Sequence, residues 1–273
     1  MGQRVSRRGY VIPLAAIVLV LALTAMCLSE ILLPERGKKT KSKDDLTIDC
    51  SHMDQGYVMV KSAKSKKKLK LRVKKGETTL TYDLNTEGEY EVSPLQYGNG
   101  KYAFTLYKNV SGKKYAEAGK ITLTAEMPDP LTALLYPNQY INYTAESACV
   151  KEATAICAGM TEQSRIFKTV CDYMKTHFVY DYIKSVSVKP GTLPDLEESW
   201  EKRMGICQDL SAIMVAMLRS QGVPARMEIG TLNTSTYHAW VVAIVDGKEE
   251  FFDPTATLNA VNREDTYTLE RYY

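Results

Sequence analysis

Cys207 is the residue of this chain best placed for covalent chemistry, because a helix is predicted to begin there. Large apolar residues follow it with helical spacing, at Leu210, Ile213, Met214, Met217 and Leu218. A thiol at a helix start faces unpaired backbone N–H groups and the positive end of the helix dipole, which both favour the thiolate. The thiolate is the form of cysteine that attacks carbonyl carbons, so Cys207 is a candidate nucleophile.

A histidine and an aspartate follow Cys207 in an order that suits this chemistry. His238 comes 31 residues after the cysteine, and Asp253 comes 15 residues after the histidine. An imidazole can take the thiol proton and return it to a leaving amine. A carboxylate can fix the tautomer of that imidazole and stabilise its charged form. The three residues therefore predict a Cys-His-Asp triad that attacks an amide or thioester carbonyl.

Such a reaction needs hydrogen-bond donors for the oxyanion. The backbone N–H of Cys207 is expected to be the first donor, since it lies at the helix start. Trp200, Tyr180 and Gln208 are near enough in sequence to be considered for the second, and no pattern chooses among them.

Each triad residue also has a simpler structural interpretation, as a core thiol, a packed imidazole or a turn carboxylate. The three could also bind zinc, but zinc sites usually contain a close pair of ligands, and the chain has no C-x-x-C sequence. No acidic loop indicates calcium either. We therefore expect neither a metal ion nor another cofactor.

Helices and a hairpin are predicted around these residues. Two helices precede the nucleophile, one ending at Gly159 and one with its apolar face between Ile166 and Met174, and residues 184–199 are predicted to be a loop. The nucleophile helix should end near Ser220, before Gly222. Strands are predicted at residues 225–230, 239–245 and 250–252. Antiparallel pairing of the last two could bring His238 and Asp253 together.

The preceding part of the chain, residues 46–127, changes to a period of two. Residues 68–74 and 80–84 alternate apolar and polar side chains around a turn at Gly76, which predicts a hairpin. Further strands are expected at 57–60, 89–92, 102–106 and 121–125, and short strands at this spacing indicate a small β-sandwich domain. The predicted fold class is thus α+β, with the sandwich followed by a catalytic domain over residues 128–273.

Charge divides unevenly between these two halves. Residues 34–127 hold 19 basic and 12 acidic residues, whereas residues 128–273 hold 13 basic and 19 acidic ones. Nine basic residues fall between Lys61 and Lys75. This cluster is either a solvated hairpin face or a surface that holds an anionic envelope polymer or lipid headgroups. Nucleic acid is not expected as a partner if the chain is exported.

The first 33 residues predict a signal anchor. Residues 11–29 carry no charge and are mostly apolar, a length that suits a transmembrane helix better than a cleaved signal peptide. The short arginine-bearing flank favours export, although the lysines after residue 36 oppose it by the positive-inside rule. Residues 34–45 lack apolar side chains and predict a flexible basic tether.

Four cysteines remain besides Cys27 and Cys207, and they could form disulfides or be buried as free thiols. Cys149, Cys157 and Cys171 lie on apolar faces of predicted helices, which favours burial.

Several motifs in close order resemble the transglutaminase-like superfamily, which has a papain-like α+β fold. They are Gly205-Ile206-Cys207, the run from Ala216 to Arg226 that contains Gly222-Val223-Pro224, Gly230, His238-Ala239-Trp240 and Asp253-Pro254-Thr255. The resemblance covers roughly residues 160–256. The short gap between cysteine and histidine favours this superfamily over papain-type proteases.

The resemblance implies that Cys207 is the nucleophile, His238 its base and Asp253 the third member. The membrane segment and β-domain are similar to those of bacterial cell-surface members, which implies a single-pass membrane protein with its catalytic domain outside the cytoplasm. We expect a surface-anchored thiol hydrolase, protease or transglutaminase that acts on peptide or glutaminyl amides of a peptide or protein substrate. The alternative is a non-catalytic cell-envelope binding module on a papain-like scaffold.

Overall fold

The computed structural model describes residues 31–233, 236–256 and 266–273, and these residues mix helices with antiparallel sheets. The helices are α1 (Ala148–Ile156), α2 (Gln163–His177), α3 (Tyr182–Ser187), α4 (Leu196–Lys202) and α5 (Cys207–Ser220), with short 3-10 helices at Met53–Gln55 and Pro130–Leu135. The strands are β1 (Thr40–Lys43), β2 (Leu46–Asp49), β3 (Tyr57–Ser62), β4 (Leu69–Lys75), β5 (Thr78–Leu84), β6 (Glu91–Pro94), β7 (Gly100–Ser111), β8 (Lys114–Ala125), β9 (Val179–Tyr180), β10 (Met204–Gly205), β11 (Ala225–Leu232), β12 (Tyr237–Val245), β13 (Lys248–Phe252) and β14 (Tyr267–Tyr272).

The first half of the described chain forms two four-stranded sheets, in the orders β1-β2-β3-β6 and β5-β4-β7-β8. Leu69, Leu71 and Val73 of β4 are buried while Arg72 between them is exposed, as the period of two requires. The hairpin predicted around Gly76 is confirmed, since β4 and β5 pair antiparallel from Leu69↔Leu84 to Lys75↔Thr78. Gly76 has a φ of +57° at the turn, where a side chain would be strained.

The prediction of a flexible tether over residues 34–45 is wrong where β1 forms. β1 pairs with β2 at the edge of the first sheet, and the backbone N–H of Gly37 donates to the buried carboxylate of Asp49 at 2.7 Å. All four residues of β1 are exposed. The strand is held by backbone pairing rather than by apolar side chains, so the composition of the segment carries no trace of it.

The second half places α5 against a sheet of order β13-β12-β11-β14. The predicted bounds of the nucleophile helix are confirmed, but its surroundings differ from those of a one-sided amphipathic helix. Every residue from Asp209 to Ser220 is buried, because α1, α2 and α4 cover the faces that the sheet leaves open. α5 is therefore a central helix of the core.

Residues 184–199 were predicted to be a loop, and this is right only for residues 188–195. α3 and α4 occupy both ends of this segment. Each begins at an aspartate cap: the Asp181 side chain accepts from the backbone N–H of Lys184 at 2.8 Å, and Asp195 accepts from that of Glu198 at 2.9 Å. Pro190-Gly191 lies between the helices and led to the loop prediction. The two helices are too short to show a helical period in the sequence.

The buried side chains of both halves form one connected core. An aromatic cluster of Tyr82, Tyr140 and Tyr273 lies where the halves meet: Tyr140 stacks on Tyr273 with ring centroids 3.6 Å apart, and Tyr82 meets Tyr273 edge-on at 6.0 Å. Tyr82 comes from β5, and Tyr273 follows β14 directly. The β-sheets therefore pack directly on the helical half.

The described cysteines are all unpaired thiols. Cys50, Cys149, Cys157 and Cys171 are buried, which confirms the prediction of burial for the three helical ones. Burial raises the pKa of Cys149 and Cys171 to about 12, so these thiols stay protonated at neutral pH. The predicted membrane segment lies outside the described residues, and no helix within them is long and apolar enough to cross a membrane.

Candidate active site

Cys207 is the first residue of α5 and is only partly buried, unlike the other described cysteines. The residue before it, Ile206, has an extended backbone and caps the helix; its N–H donates to Asp209 Oδ2 at 3.0 Å. Gly205 makes room for this turn, since a Cβ there would lie 2.8 Å from the Cβ of Asp209. The geometry leaves Cys207 at the mouth of the helix with the first backbone N–H groups around it.

His238 and Asp253 meet as predicted from the hairpin. β12 and β13 pair in the register Val241↔Phe252, so Asp253 follows the last paired residue and lies diagonally across from His238. His238 Nε2 is 2.7 Å from Asp253 Oδ2, and the two residues are 6% and 5% exposed. This bond leaves the other ring nitrogen, Nδ1, for a second partner.

The carboxylate of Asp253 is held by further hydrogen bonds. Oδ1 accepts from the backbone N–H and the hydroxyl of Thr255, both at 2.8 Å, and Oδ2 accepts from the Tyr267 hydroxyl at 3.0 Å. Burial raises the pKa of Asp253, but the bonds to His238 and Thr255 outweigh it and hold the pKa below its ordinary value. Asp253 is therefore a fixed anion beside the imidazole.

Two neighbours set the charge of His238. Burial alone would lower the pKa of the imidazole, but hydrogen bonds to Asp253 and to Cys207, with the electrostatic interaction of both residues, raise it to about 9. The ring is thus protonated at neutral pH and lies between the thiol and the carboxylate. The predicted triad residues are brought together by three different elements.

A hydrogen-bond network joins β12, the strand of His238, to β11. Trp240 Nε1 donates to Glu228 Oε2 at 2.7 Å, and Arg226 Nε donates to the other oxygen of Glu228 at 2.7 Å. Glu228 lies directly opposite Trp240 in the β11–β12 pairing. Sequence reasoning missed the role of Glu228, although an acidic residue inside an apolar strand is a usable signal for a buried partner.

Sequence reasoning also missed Asp209, which lies in the first turn of α5 and is completely buried. Its Oδ2 pairs with Lys184 Nζ of α3 at 2.8 Å, while Oδ1 has no hydrogen-bond partner among the described residues. Burial raises the pKa of this carboxyl group, and the bond to Lys184 only partly opposes the rise. Asp209 thus joins α3 to the residue before the nucleophile.

The structure separates the three residues considered for the second oxyanion donor. Trp200 is buried among Tyr173, Phe178 and Arg203 and does not line the site. The side-chain amide of Gln208 donates to the backbone oxygen of Thr192 at 3.1 Å. Tyr180 lies in the same cleft as Cys207, and the cysteine contributes to raising the pKa of its hydroxyl after burial. Gln208 lines the same cleft, but its side-chain amide is bonded to Thr192, so Tyr180 is the candidate that we retain.

Cys207 opens into a cleft of about 690 Å³. Its lining comes from α3 and the turn after it, from the start of α5, from Tyr237 of β12 and from Arg271 of β14. The size suits a few residues of an extended peptide. Among residues 31–233, 236–256 and 266–273, no group of three or more His, Cys, Asp or Glu side chains is placed to hold a metal ion.

Comparisons with known proteins give a family match for the part that holds this site. Residues 151–251 match the family described as the transglutaminase-like superfamily. No curated protein matches the chain.

Three solved structures are similar in fold. A candidate cysteine protease from Cytophaga hutchinsonii is 15% identical over 77% of this chain and 80% of its own, with a TM-score of 0.40. The periplasmic domain of TgpA from Pseudomonas aeruginosa, bound to ethylmercury, is 13% identical over 83% and 78%, with a TM-score of 0.38. Red sea bream transglutaminase is 13% identical over 75% and 48%, with a TM-score of 0.31.

Likenesses this distant carry no inference about activity, and the assignment depends on the family match and on the motifs that resemble that superfamily. The match includes Cys207 and His238 and ends two residues before Asp253. Residues 151–251 form a transglutaminase-like domain.

Proposed function

We propose that this protein is a thiol enzyme of transglutaminase-like type that attacks peptide or glutaminyl amide bonds, with Cys207 as nucleophile, His238 as acid and base, and Asp253 as the residue that orients His238. The observation that carries the proposal is the buried imidazole that pairs with Asp253 on one side and with Cys207 on the other. A protonated imidazole beside a thiol at a helix start stabilises the thiolate.

In the proposed acylation step, Cys207 Sγ attacks the carbonyl carbon and forms an S–C bond, while the carbonyl electron pair moves onto the oxygen. The backbone N–H of Cys207 and the hydroxyl of Tyr180 donate to that oxyanion. When the oxyanion collapses, the C–N bond breaks and His238 gives its proton to the departing amine. A thioester on Cys207 remains, with His238 neutral and still held by Asp253.

In the second step, His238 takes a proton from water or from an incoming amine, whose oxygen or nitrogen attacks the thioester carbon. The S–C bond breaks and the thiolate returns beside the imidazolium. Water gives hydrolysis and an amine gives acyl transfer. Both outcomes use the same residues, so the chemistry of the acceptor decides between protease or amidase and transglutaminase.

We further propose that the enzyme works at the outer face of a bacterial membrane, held by the apolar segment over residues 11–29. Lys64, Lys66, Lys67 and Lys68 are exposed in the loop before β4 and could hold an anionic envelope polymer or lipid surface. Retention of the wild-type protein on such surfaces should then weaken as salt is added. Replacing Lys66, Lys67 and Lys68 by glutamine should weaken it already at low salt. Unchanged retention in a sedimentation assay with envelope fragments would remove this part of the proposal.

The activity is tested by incubating the full chain with cell-wall peptides and with glutamine-containing proteins, and by analysing the products by mass spectrometry. Wild type should release a shortened peptide, a deamidated glutamine or a cross-linked product. Cys207→Ala should give none, while circular dichroism shows an unchanged fold. Cys207→Ser is the matched variant that keeps a hydroxyl and should be slower by several orders of magnitude. Equal product from Cys207→Ala would overturn the proposal and favour a binding module on this scaffold.

A further inference from the structure

The cleft beside Cys207 has a one-sided charge. Its walls hold two cations, Lys189 in the turn after α3 and Arg271 of β14, and no carboxylate among the described residues that line it. This contrasts with the half of the chain around it, where acidic residues outnumber basic ones. Positive charge inside a concave site on an otherwise acidic half attracts anions to that site rather than to the surface at large.

Arg271 is positioned by its neighbours. Its Nε donates to the Tyr273 hydroxyl at 3.1 Å and its Nη2 donates to the Tyr237 hydroxyl, which holds the guanidinium plane along the cleft wall. Glu270 approaches Nη1 at 3.3 Å, but this carboxylate is half exposed and lies outside the cleft lining. A guanidinium held this way can receive a carboxylate with little loss of side-chain entropy.

Lys189 is the second cation that lines the cleft. It is exposed, and no carboxylate of the described residues lies within ion-pair distance of its ammonium group. The remaining polar lining consists of hydroxyl and amide groups, namely Tyr180, Ser185, Thr192, Gln208, Thr236 and Tyr237. Such groups can bond to peptide donors and to peptide acceptors alike. The two cations are therefore the lining groups that can discriminate between substrates by charge.

We propose that this cleft selects peptides with an aspartate or glutamate side chain close to the amide that Cys207 attacks, and that Lys189 and Arg271 bind that carboxylate. The inference rests on the proposed function and adds a substrate class to it. A basic side chain at the same place would be repelled by both cations, and a neutral one would gain no charge pairing from them, which gives selectivity through the rejected peptides as well as through the accepted ones.

The test uses blocked peptides of one parent sequence in which Glu, Gln or Lys is placed at each of three positions on either side of the amide. Both ends are blocked, so the side chain supplies the only carboxylate. At one position at least, Glu should raise kcat/KM about tenfold over Gln, the size of one charge-assisted hydrogen bond, and Lys should lower it. The Glu preference should shrink at 0.5 M salt because exposed charges are screened.

Lys189→Glu should reverse the preference so that the Lys peptide becomes better than the Glu peptide. Lys248→Glu makes the same charge change at the exposed β12–β13 turn, away from the cleft, and should leave the preference as in wild type. Equal rates for the Glu, Gln and Lys peptides with wild type would overturn the inference and leave the thiol enzyme intact.

A binding measurement separates this inference from the proposed activity. Fluorescently labelled Glu and Gln peptides are titrated with the Cys207→Ala protein, in which no reaction occurs. Tighter binding of the Glu peptide that is lost in Cys207→Ala/Lys189→Glu supports the acidic subsite even if wild type yields no product. Equal binding of both peptides overturns it, and product formation in the earlier assay then still decides the enzyme proposal.

Discussion

The two ends of α5 each hold a buried charged residue, and they use it in different ways. Asp209 lies in the first turn and Arg219 in the last, so each sign complements the helix dipole at its end. Arg219 is 2% exposed and donates to the backbone oxygens of Ala225, Tyr136 and Tyr273 at 2.8, 2.7 and 3.1 Å. Asp209 instead pairs with the side chain of one lysine, Lys184, and keeps one oxygen unpartnered among the described residues.

The two ends of α5 therefore differ in role. We call the end with Arg219, which is bonded to the rest of the fold, the structural end, and the end with Cys207 the chemical end. The three acceptors of Arg219 come from three chain segments, so one side chain ties α5 to the rest of the fold. Burial nevertheless lowers the pKa of Arg219 to about 10, because the charge is removed from water. The other end carries Cys207, whose backbone N–H is the first donor of the proposed oxyanion site.

Asp253→Asn should have the largest effect, and it acts on the chemical end alone. Without the anion the imidazole loses its orientation and its charge partner, so kcat should fall about 10³- to 10⁴-fold. The melting temperature should stay close to that of wild type. Steady-state kinetics with the best peptide, together with thermal unfolding, measures both. Activity within tenfold of wild type would show that Asp253 is only a structural turn residue.

Arg219→Met tests the structural end. The substitution keeps an apolar stem but removes three buried hydrogen bonds, of which only the Tyr273 oxygen is known to keep a second donor, the Met227 N–H, so the free energy of unfolding should fall by about 3 to 5 kcal/mol. Arg165→Met, at an exposed position of α2, is the matched control and should stay within about 0.5 kcal/mol. Chemical denaturation gives both values. A small loss for Arg219→Met would mean that water or a shifted side chain fills the same role.

The pH dependence of activity sharpens the description of the chemical end. Since the pKa of His238 is raised from 6.5 to about 9, the imidazolium and its pairing energy are fully present below pH 6.5 and are lost as pH rises through about 9. We expect kcat/KM to fall above about pH 9, and thermal stability to fall in the same range. In Asp253→Asn the alkaline limb of its residual activity should move to lower pH. A wild-type limb near 6.5 would contradict the paired imidazolium.

Asp209→Asn should have the smallest effect on stability. Asparagine keeps an acceptor for the Ile206 N–H, and burial disfavours the charge of Asp209 and raises its pKa, so the free energy of unfolding should change by about 1 kcal/mol or less. Activity should fall about tenfold, because Lys184 no longer holds α3 against the cleft. Lys184→Met, which leaves the carboxylate alone, should cost more stability. A loss for Asp209→Asn as large as that for Arg219→Met would erase the contrast between the two ends.

The sequence predicted the elements whose signal is local. The helix from Cys207 to Ser220 and the hairpin around Gly76 have clear periods and clear stops, and both are present as predicted. The proximity of His238 and Asp253 followed from one turn at Asp246-Gly247, which the pairing of β12 with β13 contains. Patterns of this kind are properties of a short window of the chain.

What could not be predicted depends on distant partners. β1 exists because β2 offers it backbone groups, and its exposed lysines protect a sheet edge rather than forming a tether. Arg219 looks like a surface residue in sequence, and only the arrival of Tyr136 and Tyr273 makes it a core residue. The partnership of Asp209 with Lys184 bridges a segment predicted to be a loop. None of these leaves a periodic trace.

The aromatic cluster of Tyr82, Tyr140 and Tyr273 has a consequence for how the enzyme would approach its substrate. Because this stack and the shared core join the β-sheets to the helical half, the lysine-rich loop before β4 keeps a fixed direction relative to the cleft. Whatever surface that loop rests on would then lie at a set distance and angle from Cys207. The distance from that surface to Cys207, and not binding affinity alone, would determine which amides of an envelope are attacked.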